Sequence, residues 1–185
     1  MNKALRRPMT QREFLSWVEA QEGRFEFDGL QPVAMTGGTN NHGIISGNLY
    51  FALRRQLGSG PCRPLTAEAG AVATIGNKVR YPDVTVTCSP IVGTDRLIPE
   101  PVVVFEVTSA ASAQHDHGDR RIEYQALPSV TCYVVAEQSH QEVTVYRRDG
   151  TGALSGATLR AGGLDLSEIG AVLTMDGIYA GVALG

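Results

Sequence analysis

The feature that most constrains the fold of this chain is a short apolar run near its middle. Pro101 to Val107 reads Pro-Val-Val-Val-Phe-Glu-Val, in which Glu106 is the single charged residue. A strand with apolar side chains on both faces is typical of the interior of a sheet that is covered on both sides. The run is far too short to cross a bilayer. It therefore predicts a central strand in an α/β protein.

Length and composition are consistent with a single domain over residues 1–185. Hydrophobic residues make up 43% of the chain and charged residues 19%, which excludes a disordered chain and a coiled coil. The net charge of −3 is unlike that of proteins held to nucleic acid mainly by a basic surface. Any such contact therefore has to rest on local arginines. Residues 1–13 lack an apolar signal core, so we expect a cytoplasmic protein that does not enter a membrane.

Three cysteines, Cys62, Cys88 and Cys132, lie far apart in the chain. Their number is odd and none belongs to a Cys-x-x-Cys pair, so the sequence indicates neither a disulfide framework nor a zinc site. We therefore expect reduced thiols, two of them in strands.

Start signals for helices and turns are clear in the N-terminal part. Thr10 and Glu13 form a capping-box pattern, which predicts a first helix over residues 11–21. Asp28-Gly29 predicts a hairpin turn between two short strands, 24–27 and 32–36. Asn40 or Asn41 is the predicted cap of a second helix, and apolar residues four apart predict its buried face: Ile45, Leu49, Leu53 and Leu57.

Strand-like patterns dominate the rest of the chain. Gly, Asn and Pro separate predicted strands at 62–65, 70–74, 84–88 and 102–107. A helix over residues 116–127 ends before Pro128, and an antiparallel pair follows, 131–137 with 142–148. Residues 150–185 are predicted to hold one more strand and a short last helix. The predicted fold is an α/β domain with a mixed β-sheet flanked by helices.

Two acidic residues occupy strand positions where burial of a charged side chain costs free energy. Glu106 lies in the apolar run, where an ionised carboxylate needs a cation or several donors unless the strand end is solvated. Asp83 opens the strand that begins at Val84, and the alternation of side chains places Asp83 and Thr85 on one face. If the two strands are neighbours, the carboxylates converge. A shared proton or a divalent cation then resolves their repulsion.

The order of several segments resembles that of one nuclease family. Tyr81-Pro82-Asp83 followed by Glu106-Val107-Thr108-Ser109 is similar to the paired acids of the PD-(D/E)XK nuclease superfamily. Within it, the chain resembles the Uma-two family of restriction endonuclease-like proteins over about residues 10–148. The similar segments are 25–29, 35–49 with His42, 80–86, 102–109, 116–124 and 133–135.

The resemblance implies a restriction endonuclease-like fold and metal-dependent cleavage of DNA. It implies that Asp83 and Glu106 hold Mg²⁺ or Mn²⁺ and that Glu26 contributes a further carboxylate. A hard divalent cation takes oxygen ligands, lowers the pKa of a bound water and offsets charge on a phosphate. Taken without the resemblance, Glu26 is also consistent with a solvated residue beside a hairpin turn.

His42 and Arg120 complete the candidate catalytic residues. His42 is either a core or capping histidine, or a partner of Glu26 or of a substrate phosphate. The superfamily pattern has a lysine where this chain has Thr108, and in the Uma-two branch the lysine falls on the following helix, at the position of Arg120. Arginine binds phosphate bidentately but does not give up a proton at neutral pH. A simple pairing with Asp116, four residues earlier, is the alternative.

Two classes of function fit these residues. One is a Mg²⁺-dependent DNA endonuclease, favoured by the carboxylates. The other is a non-catalytic nuclease-fold domain that binds nucleic acid or associates with itself, favoured by the acidic charge and the missing lysine. Secondary candidates are weaker: Glu68 as another acid, Lys78 as a substitute lysine, and His115 with His117 as a small metal pair, for which a solvated loop is the better account.

Overall fold

The structure is a computed structural model that describes residues 8–68, 71–109, 112 and 115–184. Its described part contains twelve strands in three sheets. The strands are β1 (Phe25–Phe27), β2 (Pro32–Ala34), β3 (Arg63–Thr66), β4 (Val72–Ala73), β5 (Val79–Arg80), β6 (Val84–Thr87), β7 (Pro101–Thr108), β8 (Cys132–Glu137), β9 (Val143–Arg148), β10 (Leu154–Leu159), β11 (Gly163–Leu166) and β12 (Ala171–Thr174). Residue 70, the start of one predicted strand, lies outside the described residues.

The α-helices of the described part are α1 (Gln11–Val18), α2 (Asn40–Leu57), α3 (Arg121–Gln125) and α4 (Met175–Ile178). The predicted capping box of α1 is present, because Thr10 and Glu13 each accept a hydrogen bond from the other's backbone N–H. The helix ends at Val18, earlier than predicted. Thr39 rather than Asn40 or Asn41 caps α2, and its hydroxyl accepts from the backbone N–H of His42.

A six-stranded mixed sheet forms the centre of the molecule, in the order β10-β9-β8-β7-β6-β3. β7 and β8 run parallel, whereas the other neighbouring pairs are antiparallel. Val103 and Phe105 of β7 belong to one core cluster and Val104 belongs to another. The apolar run is therefore a central strand covered on both faces, which confirms the prediction made from it.

Both faces of the central sheet are covered by other elements. On one face the predicted apolar residues of α2, Ile45, Leu49, Leu53 and Leu57, share a core with β11, β12 and α4. On the opposite face Tyr124 of α3 packs on Tyr133 of β8, with ring centroids 5.0 Å apart. Burial of each large apolar side chain contributes about 1.5–3 kcal/mol. These layers therefore fix the positions of β6 and β7.

A second sheet, in the order β2-β1-β5-β4, is attached at the N-terminal side. The predicted hairpin joins β1 and β2 through Asp28-Gly29, and Gly29 has a positive φ of 93°. A Cβ there would meet the carbonyl oxygen of Gly76 at 2.4 Å, so glycine is required for two reasons. Because Phe27 pairs with Val79, Glu26 of β1 lies beside Arg80 of β5.

The connection between the parallel strands β7 and β8 differs from the single helix predicted over residues 116–127. A π-helical segment, Asp116–Arg120, precedes α3, which ends before Pro128 as expected. Such segments, with hydrogen bonds five residues apart, are frequent at functional sites. Residues 110–111 and 113–114 of this connection lie outside the described part.

The prediction of three reduced cysteines is wrong for two of them. Cys62 and Cys88 form a disulfide, with Cα atoms 3.9 Å apart. The cause is the antiparallel pairing of β3 with β6, which sets Arg63 opposite Thr87 and so brings the flanking cysteines together. Cys132 is a buried free thiol, and burial raises its pKa to about 12.

The C-terminal part contains more strands than predicted. Three strands, β10, β11 and β12, precede the short helix α4, where the sequence pattern predicted one. In β11 the buried Leu164 and Leu166 alternate with exposed residues, as in a strand that covers a core on one face only. No helix within the described ranges is long and apolar enough to cross a membrane. Residues 1–7, at the start of the segment searched for a signal, lie outside them.

Candidate functional site

The strands β6 and β7 bring the two predicted acids to one cavity. Val84 pairs with Phe105, so Asp83 and Glu106 are the next residues outward on the two antiparallel strands. The backbone N–H of Val107 donates to Asp83 Oδ2 at 2.7 Å, which ties Asp83 to the neighbouring strand. A cavity of about 570 Å³ is lined by all the predicted site residues: Glu26, His42, Asp83, Glu106 and Arg120.

Arg120 lies among the carboxylates of this cavity. Its Nη1 donates to Glu106 Oε1 at 3.0 Å, and its Nη2 donates to both oxygens of Glu26 at 3.0 Å. Its Nε is 3.2 Å from Asp116 Oδ1, close enough for attraction between charges, but the buried N–H makes no hydrogen bond. The pairing with Asp116 is thus one of three contacts, and the side chain points into the cavity with 12% of its surface exposed.

Glu106 is buried in the central strand, and this burial makes its carboxyl group an unusually weak acid. Burial raises the pKa of Glu106 to about 8, although the charge of Arg120 acts to lower it. The neighbouring charges of Asp83, Asp116 and Glu26 raise it further. Tyr124 also donates its hydroxyl to Glu106 Oε1 at 3.0 Å. The alternative of a solvated strand end is therefore excluded.

Glu26 is buried as well, so the solvated alternative for this residue is also excluded. Arg80 Nη1 donates to Glu26 Oε2 at 3.1 Å, and the backbone N–H of Tyr81 donates to Oε1 at 3.3 Å. Together with Arg120, these donors occupy both carboxylate oxygens. Glu26 thereby connects two buried arginines.

His42 contacts Asp83 rather than Glu26, the partner suggested from the sequence. Its Nε2 lies 3.1 Å from Asp83 Oδ1. The hydrogen bond to Asp83 raises the pKa of His42, whereas partial burial acts against this shift. The imidazole therefore gains a proton more readily than a free histidine does, and it fixes one oxygen of Asp83.

The secondary candidates lie in other contacts. Lys78 donates to Glu123 Oε1 at 2.7 Å, and Glu68 forms an exposed pair with Arg24. His115 pairs with Asp119, whereas His117 contacts the hydroxyl of Tyr146. The two histidines thus have different partners, and His117 lies in the π-helical segment rather than in the solvated loop that the sequence suggested.

Sequence reasoning underrated two members of the site, Asp116 and Tyr124. Asp116 is buried, and Thr108 Oγ1 donates to its Oδ2. Residues 116, 120 and 124 recur every four positions, which places them close to one face of a helical segment. A polar stripe at this spacing after a buried strand is the signal by which the sequence could have indicated an inward-facing polar surface.

The donor set suits a divalent cation that is shared with a substrate. Mg²⁺ is commonly held by one or two carboxylates together with waters and substrate phosphates, and Asp83 and Glu106 supply such oxygens. Among the residues that the structure describes, no three His, Cys, Asp or Glu side chains are grouped to hold an ion by themselves. An ion held by Asp83 and Glu106 would therefore take its remaining ligands from water and substrate.

The fold defines the class of this protein as mixed α/β, and that fold is shared with a protein of known structure. A crystal structure from Anabaena variabilis, described as "a putative nuclease belonging to DUF820", superposes with a TM-score of 0.74 at 14% sequence identity. The match covers 95% of this chain and 100% of the other, and it establishes a shared mixed α/β fold.

Sequence comparison identifies the family. The model of the family described as "Uma2: Putative restriction endonuclease" matches residues 11–173, so the chain belongs to the Uma2 family. An uncharacterized protein of Synechocystis sp. is 30% identical over 176 residues, which cover 92% of this chain and 91% of that protein. These findings confirm the resemblance recognised in the sequence.

Proposed function

We propose that this chain is a divalent-metal-dependent endonuclease that hydrolyses phosphodiester bonds in DNA. The observation that carries the proposal is the convergence of Asp83 and Glu106, from adjacent strands, on one cavity that also holds a buried arginine. The cavity belongs to a member of a restriction endonuclease-like family. Paired carboxylates on neighbouring strands are a recurring way to hold a hard cation near a phosphate.

Each residue of the cavity has a distinct role in the proposed reaction. Mg²⁺ or Mn²⁺ bound at Asp83 and Glu106, with Glu26 as a further carboxylate, would supply a water of lowered pKa and offset charge on the phosphate. Arg120 binds a phosphate oxygen through its N–H donors and stabilises negative charge, but it does not donate a proton. His42 holds the carboxylate of Asp83 in a fixed orientation.

Nicking of supercoiled plasmid DNA tests the proposal directly. The wild type is expected to nick the plasmid in Mg²⁺ or Mn²⁺ and not in EDTA, whereas Asp83→Asn and Glu106→Gln are expected to lose this activity. Asp119→Asn is the matched control, because this carboxylate lies on the same crossover segment but is 72% exposed. Unchanged nicking in both acid variants at equal purity would overturn the assignment of the site.

A second function is favoured by one specific observation. The cation placed among the carboxylates is an arginine, which has no proton to give at neutral pH. A nuclease-fold domain that binds nucleic acid without cleaving it would show that property. Filter binding of a labelled duplex, combined with absence of nicking in the same buffer, is the result expected for this alternative.

A further inference from the structure

We propose that Arg120 is a built-in competitor of the divalent cation. In this proposal, which rests on the proposed function, the guanidinium neutralises the carboxylates of the metal-free protein. When an ion binds at Asp83 and Glu106, Arg120 leaves Glu106 and turns toward the substrate phosphate. Arg120 therefore lowers the affinity of the site for the free metal and couples metal binding to the presence of substrate.

The contacts of Arg120 place it where it opposes an ion. Nη1 is 3.0 Å from Glu106 Oε1, the carboxylate that faces the same cavity as Asp83. A divalent ion bound to this carboxylate sits about 2.0–2.1 Å from its ligand oxygen. The ion and the guanidinium then compete for the same negative charge within a few ångströms of each other. Because both are positively charged, each disfavours the other there.

The departure of Arg120 leaves no carboxylate without a partner. Glu26 keeps Arg80 and the backbone N–H of Tyr81, and Asp116 keeps the hydroxyl of Thr108. Glu106 keeps the hydroxyl of Tyr124 and gains the ion. The cost of leaving buried carboxylates without partners, which normally locks such an arginine in place, is therefore reduced.

Arg120 differs from its neighbour Arg80 in the length of its hydrogen bonds, which are 3.0 Å, and in one unused donor. Arg80 donates from Nε and Nη2 to the carboxylate of Glu123, both at 2.7 Å, and from Nη1 to Glu26. Arg120 has an Nε that makes no hydrogen bond although it is buried. An unused donor next to the cavity is a group that a phosphate oxygen can engage, because an anion offers the acceptor that Nε lacks. In this proposal Arg80 is the fixed guanidinium and Arg120 is the one that moves.

Binding of Mn²⁺, followed by electron paramagnetic resonance of the free ion, tests the proposal without reference to activity. Arg120→Gln is expected to bind Mn²⁺ at least tenfold more tightly than the wild type while losing plasmid nicking. Arg121→Gln is the matched control, because its guanidinium contacts the carbonyl oxygens of His117 and Leu154 outside the acids. Equal affinity in the wild type and Arg120→Gln would overturn the proposal.

A second measurement uses the wild-type protein and does not depend on the folding of a variant. In ¹⁵N spectra of arginine side chains, titration with Mg²⁺ is expected to move the Nε–H signal of Arg120, whereas that of Arg121 stays in place. An unmoved Arg120 signal at saturating Mg²⁺ would overturn the proposal. Tighter Mn²⁺ binding in Arg120→Gln without nicking by the wild type would support this inference and refute the proposed nuclease activity.

Discussion

Two buried arginines of this protein have similar chemistry and opposite surroundings. Arg80 and Lys78 both donate to one carboxylate, that of Glu123, so cations outnumber the acid in that cluster. Arg120 contacts three carboxylates, those of Glu26, Glu106 and Asp116, so acids outnumber the cation in the other. Glu26 accepts from both arginines and joins the two clusters into one polar layer.

The pKa values of two carboxyl groups, one from each cluster, are shifted in opposite directions. For Glu123, burial disfavours the charged form, but hydrogen bonds from Arg80 and Lys78 outweigh it and lower the pKa to about 2. For Glu106, burial dominates over the attraction of Arg120 and raises the pKa to about 8. Burial raises the pKa of both groups; hydrogen bonds from two cations overcome it at Glu123, whereas neighbouring acids add to it at Glu106.

This difference separates a structural cluster from the cluster to which we assign the proposed function. Where the cations equal or outnumber the carboxylates, the cluster fixes the positions of β5 and α3 and does not attract a further cation. Where acids are in excess, the cluster retains an attraction for positive charge that the protein itself does not satisfy. Perturbed acids with that property are frequent at functional sites.

The largest expected effect is on stability, from loss of the Glu123 carboxylate. Glu123→Gln leaves the buried Arg80 short of a counter-charge, so the free energy of unfolding should fall by about 3–5 kcal/mol. Urea denaturation at pH 7 measures this change. Glu19→Gln, which removes an exposed pair with Arg96, serves as the control and should cost at most about 1 kcal/mol. Similar losses of stability in the two variants would contradict the structural role of the Glu123 cluster.

The pH dependence of stability should reveal the same contribution of Glu123. Because the folded-state pKa of Glu123 is lowered, its stabilisation is complete above the ordinary carboxyl pKa of 4.5 and is lost as the pH falls toward 2. The stability difference between the wild type and Glu123→Gln should therefore shrink by about 3 kcal/mol from pH 6 to pH 2. Unfolding free energies measured at intervals of one pH unit test this. A constant difference would contradict it.

The next effect concerns catalysis by the acid-rich cluster. Arg120→Lys restores a group that can transfer a proton, so Mg²⁺-dependent nicking should rise by up to about 100-fold. Arg120→Ala removes the positive charge from the phosphate and should abolish nicking. Initial rates on supercoiled plasmid, at matched purity, provide the measurement. Equal rates in the wild type and both variants would show that Arg120 has no part in the reaction.

The smallest effect is expected at Asp83. Asp83→Asn removes one of the acids that repel Glu106 and keeps an oxygen for the N–H of Val107. The fold should persist, and the melting temperature should rise by about 2–4 °C, equivalent to roughly 1 kcal/mol for a chain of this size. Differential scanning calorimetry at pH 8 without metal measures the shift. A large loss of stability would identify Asp83 as a structural hydrogen-bonding residue.

Features set by local pattern could be predicted from the sequence. The stripe from Ile45 to Leu57 and the central strand around Phe105 follow from the periodicity of apolar residues. The convergence of Asp83 and Glu106 was predictable because strand alternation fixes the face on which each lies. The first two predictions need only positions along a single strand or helix, whereas the convergence also required β6 and β7 to be neighbours.

Features set by contacts between distant segments could not be predicted in the same way. The Cys62–Cys88 disulfide depends on the register of β3 against β6, which no spacing between cysteines reveals. The contact of Arg120 with Glu26 joins residues 94 positions apart and requires the second sheet to be docked. The strand β12 was not predicted for a related reason. It buries only one face, but its exposed residue, Val172, is apolar, so the sequence lacks the apolar–polar alternation that marks such a strand.

The parallel pairing of β7 with β8 has a consequence for the order in which the protein folds. The two strands and the π-helical crossover between them are contiguous, and Glu106 and Arg120 are only 14 residues apart. Contacts between nearby residues close with less loss of chain entropy than distant ones, so this unit can assemble early. Glu26 arrives only when β1 docks. We therefore expect the contacts of Arg120 with Glu106 and Asp116 to form before its contact with Glu26, which lies 94 positions away in the chain.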